Sequence, residues 1–588
     1  MKFVEALRIA KDQPTDVARF RVALACGFTP LHLQTFLAAH VQRRLPDRKV
    51  EVATGLFGGL PEAAESWAKS PGDVAAIALE WADLDPRLQY RQLGGWSPAD
   101  LADIVKVVES QTRRLESAIR NLPGALRVAL SLPTLPLPPA FFTPGCQASE
   151  AELGLRQAVI DLGRAAAQRV NVAVVSTQHL GRVSPPASRF DLRGELLTGL
   201  PYTMEHADAL GAALAELLLP PPPKKGLITD LDDTLWNGII GDAGADGVSW
   251  DLASHGQIHG LYQQTLRALA AQGALIAVAS KNDVALVRQA FARPDMLLRE
   301  ENVFPLEVHW NAKSGSVGRI LKTWNVAADS VVYVDDSPME LAEVEQAHPG
   351  IHCIRFPKDD YANAEAFLRE LRNLFGKSRV TEEDALRLNS IRQSEAFQQI
   401  AESGGSAPEE FLAQMRARVT VDFERAGNDP RALELINKTN QFNLNGVRLT
   451  EADWHKQLAR PGAFAASIAY EDKFGPLGKI AVMLGTREGD VVRLRAWVMS
   501  CRAFARRIEY QCLRILFDRF GADSIEFDFA ATPKNGPLQD FFGWLLDGRE
   551  GEATVSRQAF DQKCPVLYHT VTGPASPKPE PAAIVSAE

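Results

Sequence analysis

The sequence predicts an α/β protein of three domains, built largely on parallel sheets. Three observations indicate this: apolar segments of strand length alternate with segments of helical period, a proline run follows Leu219, and a second junction lies near Gly376. Alternating strands and helices favour parallel sheets, and a chain of 588 residues is longer than one core usually holds. We therefore expect domains at 1–219, 220–376 and 377–570, followed by a proline-rich, disordered tail at 571–588.

In the first domain, the apolar runs 20–25, 73–79 and 170–175 have the length and composition of buried strands, and 31–41 has a helical pattern. The Pro-rich segment 132–144 is expected to be a surface loop. The run 219–225 cannot continue a helix, because proline lacks an amide hydrogen, so it marks the boundary with the next domain.

The central domain opens with an apolar strand that ends in two carboxylates, Asp230 and Asp232, followed by Thr234. A strand end places both carboxylates in one crevice, where the first can attack phosphorus or hold a magnesium ion. The second can move a proton to or from the leaving oxygen. The pattern therefore indicates phosphoryl transfer, although taken alone it is also typical of a solvated Asp-rich turn.

Two further predicted strands end in polar side chains. The run 274–280 ends at Ser280, which would hold a phosphate oxygen. The run 330–335 ends in Asp335 and Asp336, which offer the oxygen ligands that magnesium prefers. Between these runs lies Lys313, which either neutralises phosphate and nucleophile together or is an ordinary surface lysine.

These motifs occur in the order found in the haloacid dehalogenase (HAD) superfamily, which this chain resembles. The resemblance implies a phosphohydrolase or phosphotransferase that uses Mg²⁺. It assigns catalysis to Asp230, Asp232, Ser280 and Lys313, substrate contacts to Thr234, Lys281 and Asn282, and metal ligation to Asp230, Asp232 (through its main chain), Asp335 and Asp336.

The sequence around the motifs resembles the FkbH-like branch of that superfamily over about 226–544. The resemblance is carried by the segments LDDTLWNGIIGDAG, ASKND, VDDSPMELAEVEQ and NKTNQFNLN. This resemblance implies an enzyme that takes a glyceryl group from 1,3-bisphosphoglycerate, removes phosphate, and leaves a glyceryl thioester on the phosphopantetheine arm of an acyl carrier protein. The expected partners are therefore a carrier protein of polyketide or related biosynthesis and a small phosphorylated substrate.

One position departs from the glyceryl-loading pattern. Such relatives commonly have a cysteine before the serine of the second motif, whereas this chain has Ala279 before Ser280. Alanine has no nucleophile, so either the carrier thiol attacks an acyl phosphate directly or another cysteine serves. Cys501 is the candidate thioester nucleophile, unless it is a small core residue.

The first domain resembles the SGNH-hydrolase fold, but Cys26-Gly27-Phe28-Thr29 follows the first strand where a nucleophilic serine belongs. His206 lies where SGNH enzymes place their histidine, but it precedes an Ala- and Leu-rich helix, and we expect it to be a surface or capping residue. The first domain is therefore interpreted as a noncatalytic docking or architectural module.

The last domain resembles the acyltransferase (GNAT-like) fold that binds acetyl coenzyme A, with strands expected at 418–423, 478–484, 491–499 and 524–529 and a helix at 380–403. Arg502 stands where that fold has its pyrophosphate loop, but the loop glycines are absent, which weakens coenzyme A binding. Asn440 and Asn535 either bind the amides of a pantetheine arm or cap local turns.

The composition limits the kinds of partner and site that we expect. A net charge of −9 and a pI near 5.8 argue against nonspecific nucleic-acid binding and give no sign of a basic membrane face. Six cysteines without CxxC spacing predict neither a zinc site nor a disulfide framework. The sequence shows no secretory signal and no run of transmembrane length, so we expect a cytoplasmic protein.

Three functions therefore remain open: a glyceryl transferase with phosphatase chemistry, a plain phosphatase favoured by Ala279, and a carrier-docking scaffold with little turnover. The paired acids argue against the scaffold. The segment 235–273 is too short for a large cap domain, which favours an open site and a macromolecular substrate.

Overall fold

The computed structural model describes residues 1–14, 17–55, 60–67, 72–94, 96–140, 143–358, 360–377, 380, 388, 391–392, 409–424, 427, 429–473, 475–500, 503–504, 506–546 and 553–573. The chain forms two compact units, Met1–Pro222 and Pro223–Glu588, and the boundary falls in the proline run. The α/β class is confirmed. The division of the second unit near Gly376 stays a prediction.

The first unit contains a parallel sheet in the order β2-β1-β3-β4-β5, with strands β1 (Arg19–Ala25), β2 (Lys49–Thr54), β3 (Val74–Ala78), β4 (Arg127–Ser131) and β5 (Val172–Val174). The three expected strands are present, and β2 and β4 were not predicted. The described α-helices are Phe3–Lys11, Leu31–Arg44, Leu60–Trp67, Trp81–Leu84, Leu101–Arg120, Glu150–Ala167, Thr177–Val183, Leu192–Thr198 and Met204–Leu218.

Helices cover both faces of this sheet, because successive residues of its strands alternate between two apolar clusters. Ala75 and Ile77 of β3 belong to one cluster, and Val74 and Ala76 belong to the other. All five residues of β3 are buried. A strand enclosed on both sides has the continuous apolar sequence that made it predictable.

Two predictions for this unit are wrong. The segment 132–144 is not simply a surface loop, since Thr134 and Ala140 within it are buried. His206 is not a surface residue, because it is completely buried. Its ring nitrogens contact Oγ1 of Thr134 at 2.8 Å and Oγ of Ser184 at 2.9 Å, so long-range packing determines its environment.

The second unit begins with another parallel sheet, in the order β10-β9-β6-β7-β8. Its strands are β6 (Gly226–Thr229), β7 (Leu275–Ser280), β8 (Leu306–Val308), β9 (Val331–Asp335) and β10 (His352–Arg355). The strands at 274–280 and 330–335 agree with prediction. The accompanying α-helices are Ile240–Ala243, Gln257–Ala271, Val284–Phe291, Lys313–Trp324, Pro338–Ala347 and Tyr361–Phe375.

A glycine begins β6 for a steric reason. A Cβ on Gly226 would lie 2.3 Å from the ring of Trp324, which packs against the start of the strand. The close approach holds the helix Lys313–Trp324 against the sheet and thereby fixes the position of Lys313 at its amino end.

The remaining chain forms a mixed sheet in the order β17-β16-β15-β14-β13-β11-β18, with β12 paired to β15. The four expected strands are present, and β13 is a long strand that was not predicted. The bounds are β11 Arg418–Glu424, β12 Phe442–Asn443, β13 Ala463–Asp472, β14 Gly475–Glu488, β15 Val491–Met499, β16 Ser524–Phe527, β17 Thr554–Ser556 and β18 Thr570–Thr572.

This sheet has its own apolar core around Trp497 and Phe517. The helices that pack with it are Glu409–Gln414, Pro430–Lys438, Glu451–Leu458, Ile508–Phe520, Gly536–Leu545 and Arg557–Lys563. The expected helix at 380–403 falls largely outside the described residues. Most of the tail at 571–588 does so too, but its first two residues belong to β18, so the predicted start of the tail is wrong. Among the helices that are described, none is both long and apolar enough to cross a membrane.

Candidate active site

The acidic motifs meet at one edge of the β10-β9-β6-β7-β8 sheet. Asp230 directly follows β6, which lies between β9 and β7. Asp335 is the last residue of β9 and Ser280 is the last residue of β7. Because the three strands are parallel, their carboxyl ends lie side by side, as ligand-binding edges do in sheets of this type.

Lys313 lies between two of the carboxylates. Its Nζ is 2.9 Å from Oδ1 of Asp230 and 2.6 Å from Oδ2 of Asp335, and only 5% of the residue is exposed. The interpretation of Lys313 as a surface lysine is thereby excluded. Burial works to lower the pKa of Lys313, but the two carboxylates outweigh it and raise that pKa, so the side chain stays charged.

The two acids differ from each other in their surroundings. Burial raises the pKa of Asp230 to about 7, with Asp335 acting in the same direction and Lys313 opposing both. Asp335 is completely buried and accepts hydrogen bonds from Lys313, the hydroxyl of Tyr333 and the main-chain N–H of Ser337. Asp335 is therefore held rigidly, whereas Asp230 keeps a small exposed fraction of 5%.

Asp232 is oriented by three donors. Its Oδ1 accepts hydrogen bonds from Nε1 of Trp236 at 2.9 Å and from the main-chain N–H of Ile240 at 3.1 Å. Its Oδ2 accepts one from Nδ2 of Asn282 at 3.0 Å, and Asn282 also donates to Oγ of Ser280 at 3.1 Å. Asn282 thus connects the acid to the serine of the neighbouring strand.

The other residues predicted to contact substrate differ in how far they are exposed. Thr234 is completely buried, so its side chain cannot contact a substrate directly in this conformation. Its carbonyl oxygen lies 2.9 Å from Nδ1 of His259, and this contact fixes the loop that follows β6. Lys281 pairs with Glu340 at 2.8 Å at the rim. Ala279 is buried in the apolar cluster beneath the sheet.

Sequence reasoning missed Lys358, which bridges two loops of the site. Its Nζ is 3.0 Å from Oδ2 of Asp233 and 2.8 Å from Oδ2 of Asp336. Its position in the sequence could have indicated this role, because Lys358 follows β10 closely. The carboxyl end of β10 lies at the same edge of the sheet as that of β9.

The donor set fits a hard divalent cation. One carboxylate oxygen each from Asp230, Asp335 and Asp336 lies within 4.8 Å of the others, and Mg²⁺ takes oxygen ligands of this kind. The carboxylate of Asp232 does not join this group and is engaged by its three donors, so its main chain is the part that remains available. This is compatible with the predicted metal set.

The predicted residues of the last domain lie elsewhere in the second unit. Asn535 is completely buried, and its amide donates to the carbonyl oxygens of Asn443 and Ala530, which favours the local structural role over pantetheine binding. Asn440 is exposed and accepts a hydrogen bond from Arg448. Cys501 and Arg502 lie outside the described residues.

The position after β1 in the first unit has no nucleophile. Burial raises the pKa of Cys26 to about 12, so its thiol stays protonated. Thr29 donates its hydroxyl hydrogen to the carbonyl oxygen of Thr198 at 2.9 Å. The noncatalytic interpretation of this unit stays a prediction.

Comparison with known proteins bears on the fold. No family model matches the chain, and no curated protein does. The chain is similar to the crystal structure of the N-terminal part of the protein BF1531 from Bacteroides fragilis, described as containing a phosphatase domain complexed with Mg, at 20% identity and a TM-score of 0.50, over 64% of this chain and 100% of that one.

A second solved structure, the salicylyl-acyltransferase SsfX3 from a tetracycline biosynthetic pathway, matches 35% of this chain and 57% of its own length at 12% identity and a TM-score of 0.22. That likeness is too distant to bear on the fold. The likeness to BF1531 shows a shared fold over the matched part of the chain.

Proposed function

We propose that this protein is a magnesium-dependent phosphoryl-transfer enzyme that acts on a small phosphorylated substrate. The observation that carries the proposal is the buried cation of Lys313 between Asp230 and Asp335, beside the oriented acid Asp232. Two buried carboxylates and a lysine are costly to maintain, and a purely structural role would be served as well by apolar residues.

In the proposed reaction, the carboxylate of Asp230 attacks phosphorus while the bond from phosphorus to the leaving oxygen breaks. Asp232 donates a proton to that oxygen. Asp232 then accepts a proton from water, whose oxygen attacks the phosphorus of the aspartyl phosphate. Inorganic phosphate leaves, and Asp230 is regenerated. Ser280 and Lys313 would orient the phosphate oxygens.

A bound Mg²⁺ would be held by Asp230, Asp335 and Asp336 with the main chain of Asp232, and it would reduce the repulsion between these carboxylates and phosphate. Lys313 supplies part of the same compensation from the chain itself. Both cations are needed because an unscreened phosphate beside buried carboxylates is strongly disfavoured.

We further propose that the enzyme loads a small hydroxyacyl unit, glyceryl, onto an acyl carrier protein. The sequence resemblance to FkbH-like proteins supports this, and so does the openness of the site. The chain between β6 and the helix Gln257–Ala271 carries only the short helix Ile240–Ala243. Trp310 lies in the loop before the helix Lys313–Trp324, and Met339 lies in the first turn of the helix Pro338–Ala347. They are 75% and 74% exposed, and exposed apolar side chains of this kind suit contact with a protein partner.

Loading requires two bond changes. Because Ala279 offers no thiol, the carrier thiol would attack the carbonyl carbon of an acyl phosphate, and phosphate would leave as the thioester forms. A second phosphate, held as an ester on the acyl unit, would then be removed through Asp230 with Asp232 as the acid. The product is a hydroxyacyl thioester and two equivalents of phosphate.

The second candidate is a plain phosphatase on a small or carrier-bound phosphate. The burial of Ala279 in the core favours it, because nothing at that position can hold an acyl group. In that case Asp230 and Asp232 perform the same steps and no thioester forms. A docking scaffold is the third candidate and requires no turnover at all.

Intact-protein mass spectrometry distinguishes the candidates. Candidate carrier proteins are incubated with the enzyme, Mg²⁺ and freshly generated 1,3-bisphosphoglycerate, and Asp230→Asn is compared with Asp242→Asn, which removes an exposed acid of the same domain. Loading predicts a glyceryl-sized mass gain that needs Asp230. Phosphate release without a mass gain would leave the plain phosphatase, and neither would leave the scaffold.

A further inference from the structure

The first unit contains a cavity that the proposed reaction does not use. It has a volume of about 330 Å³ and lies at the carboxyl ends of β1 and β3. Its walls combine aromatic rings with carboxylates. The residues that line it include Gly27, Trp81, Asp83, Tyr90, Phe190 and Glu195.

Gly27 lets a carboxylate reach the cavity wall. A Cβ at this position would lie 1.7 Å from Oδ1 of Asp83, so any larger residue would displace that side chain. Asp83 accepts hydrogen bonds from the main-chain N–H of Glu80 at 2.7 Å and from that of Gly27. Burial raises the pKa of Asp83 to about 7, and a cation placed beside the carboxyl group would favour its charged form.

The neighbouring Glu80 is already satisfied by the protein. Its carboxylate accepts hydrogen bonds from the main-chain N–H groups of Thr134 and Leu135 and from the hydroxyls of Thr134 and Tyr202. Glu80 therefore orders the cavity floor and has no need of a ligand.

Glu195 differs in that its carboxylate has no partner. Only 7% of the residue is exposed, and no hydrogen bond or ion pair to its side chain occurs among the described residues. Burial raises the pKa of Glu195, and the charge of Arg91 only partly opposes this. The residue is mostly buried, but its carboxylate oxygens are accessible from the cavity and have no donor from the protein, so a ligand in the cavity can supply one.

Aromatic rings form the rest of the wall. Tyr90 and Phe190 stack with their centroids 5.2 Å apart at 29°, and Trp81 fixes its ring by donating Nε1–H to the carbonyl oxygen of Leu135 at 3.1 Å. Aromatic faces attract organic cations. Arg91 also lines the cavity, but Asp83 and Glu195 give the wall more carboxylates than guanidinium groups, and this balance disfavours anions.

An inorganic cation fits less well. Among the described residues, the only group of three acids or histidines close enough to share a metal ion is Asp230, Asp335 and Asp336 in the other unit. The carboxylates of this cavity are accompanied by apolar and aromatic surface, which suits an ammonium group with an apolar body.

We propose that the cavity of the first unit is a binding site for a small organic ammonium ion, whose N–H groups are accepted by Glu195 and Asp83 and whose body packs on Trp81, Tyr90 and Phe190. All residues that line the cavity belong to the first unit, so the proposal gives that unit a recognition role of its own.

Isothermal titration calorimetry of the full chain tests the proposal with three matched probes: 2-phenylethylammonium, the neutral 2-phenylethanol and the anionic 3-phenylpropanoate. The ammonium ion should bind at least about tenfold more tightly than the alcohol, and the carboxylate should not bind. Glu195→Gln keeps the shape of the side chain and should remove that preference while leaving alcohol binding unchanged. Glu205→Gln, at an exposed position, is the control.

Thermal unfolding of each variant guards against a folding artefact. Glu195→Gln removes an unpaired buried charge and should keep or raise the melting temperature. Tyr90→Leu is a second test of the proposal. It should weaken ammonium binding, because the variant lacks the aromatic ring that attracts the cation. The proposal is overturned if the ammonium ion does not bind, if the alcohol or the carboxylate binds as tightly, or if folded Glu195→Gln retains the preference.

Discussion

The Nζ atom of Lys313 lies 2.9 Å from Oδ1 of Asp230, and both side chains are buried at the edge of the second sheet. The same nitrogen is 2.6 Å from Asp335. One lysine thus compensates two carboxylates that strand ends bring together. Because it begins a helix anchored against Gly226, its position is set by the packing of the sheet and helix.

Lys313→Met should destabilise the second unit and abolish turnover. Methionine has a similar length but leaves Asp230 and Asp335 as buried charges without a cation, which costs about 3–5 kcal/mol in the free energy of unfolding. Urea unfolding of the full chain measures this loss. Lys322→Met, near the last turn of the same helix, is the control and should unfold like the natural protein. Equal stability of both variants would mean that the lysine is not a counter-ion.

Asn282→Ala should slow phosphate release without changing substrate affinity by a similar factor. The amide holds Oδ2 of Asp232 and Oγ of Ser280, so its loss leaves the proton donor less well oriented. We expect kcat to fall about 10- to 100-fold with KM changing less, since orientation matters most in the transition state. Steady-state phosphate release from acetyl phosphate checks this, and a change confined to KM would contradict the positioning role.

Trp310→Ala and Met339→Ala should separate carrier loading from small-substrate turnover. Both side chains are strongly exposed near the site and contribute little to the core, so the fold and the hydrolysis of acetyl phosphate should be preserved. If a carrier protein docks there, the loading rate should fall about tenfold or more in the double variant. Leu252→Ala, at another exposed position 75% accessible to solvent, is the control.

The meeting of the acidic motifs at one sheet edge could be predicted, because each motif is local in the sequence. Asp230, Ser280 and Asp335 each follow a continuous apolar strand, so their shared edge follows from parallel pairing alone. The burial of Thr234 and Lys313 could not be read in this way. Each depends on which helix or loop packs over the strand ends, and that is determined by contacts between distant parts of the chain.

In the first unit, too, the burial of a side chain depends on distant contacts that the sequence does not reveal. His206 lies among polar and small residues that suggest a helix start, and it does lie in the first turn of the helix Met204–Leu218. Its burial arises from Thr134 and Ser184, which are 72 and 22 residues away in the chain. The strands β2 and β4 were also missed, since their short runs contain charged residues that lie at the strand starts.

His206 should make the stability of the first unit depend on pH. Burial lowers the pKa of His206 from 6.5 to about 3, and Arg189 acts in the same direction. Between these values the unfolded chain binds a proton that the folded chain does not. The stabilisation is therefore complete above pH 6.5 and is lost as the pH falls toward 3, by about 1.4 kcal/mol for each pH unit.

His206→Gln removes this proton-linked contribution while keeping a polar side chain beside Thr134 and Ser184. Urea unfolding of the full chain at pH 6.5, 5.5 and 4.5 should show a shallower loss of stability in the variant than in the natural protein. The raised pKa values of Glu80 and Glu195 act in the opposite direction, but they are common to both proteins and cancel in the comparison. Parallel profiles would mean that His206 takes up its proton as easily in the folded unit as in the unfolded chain.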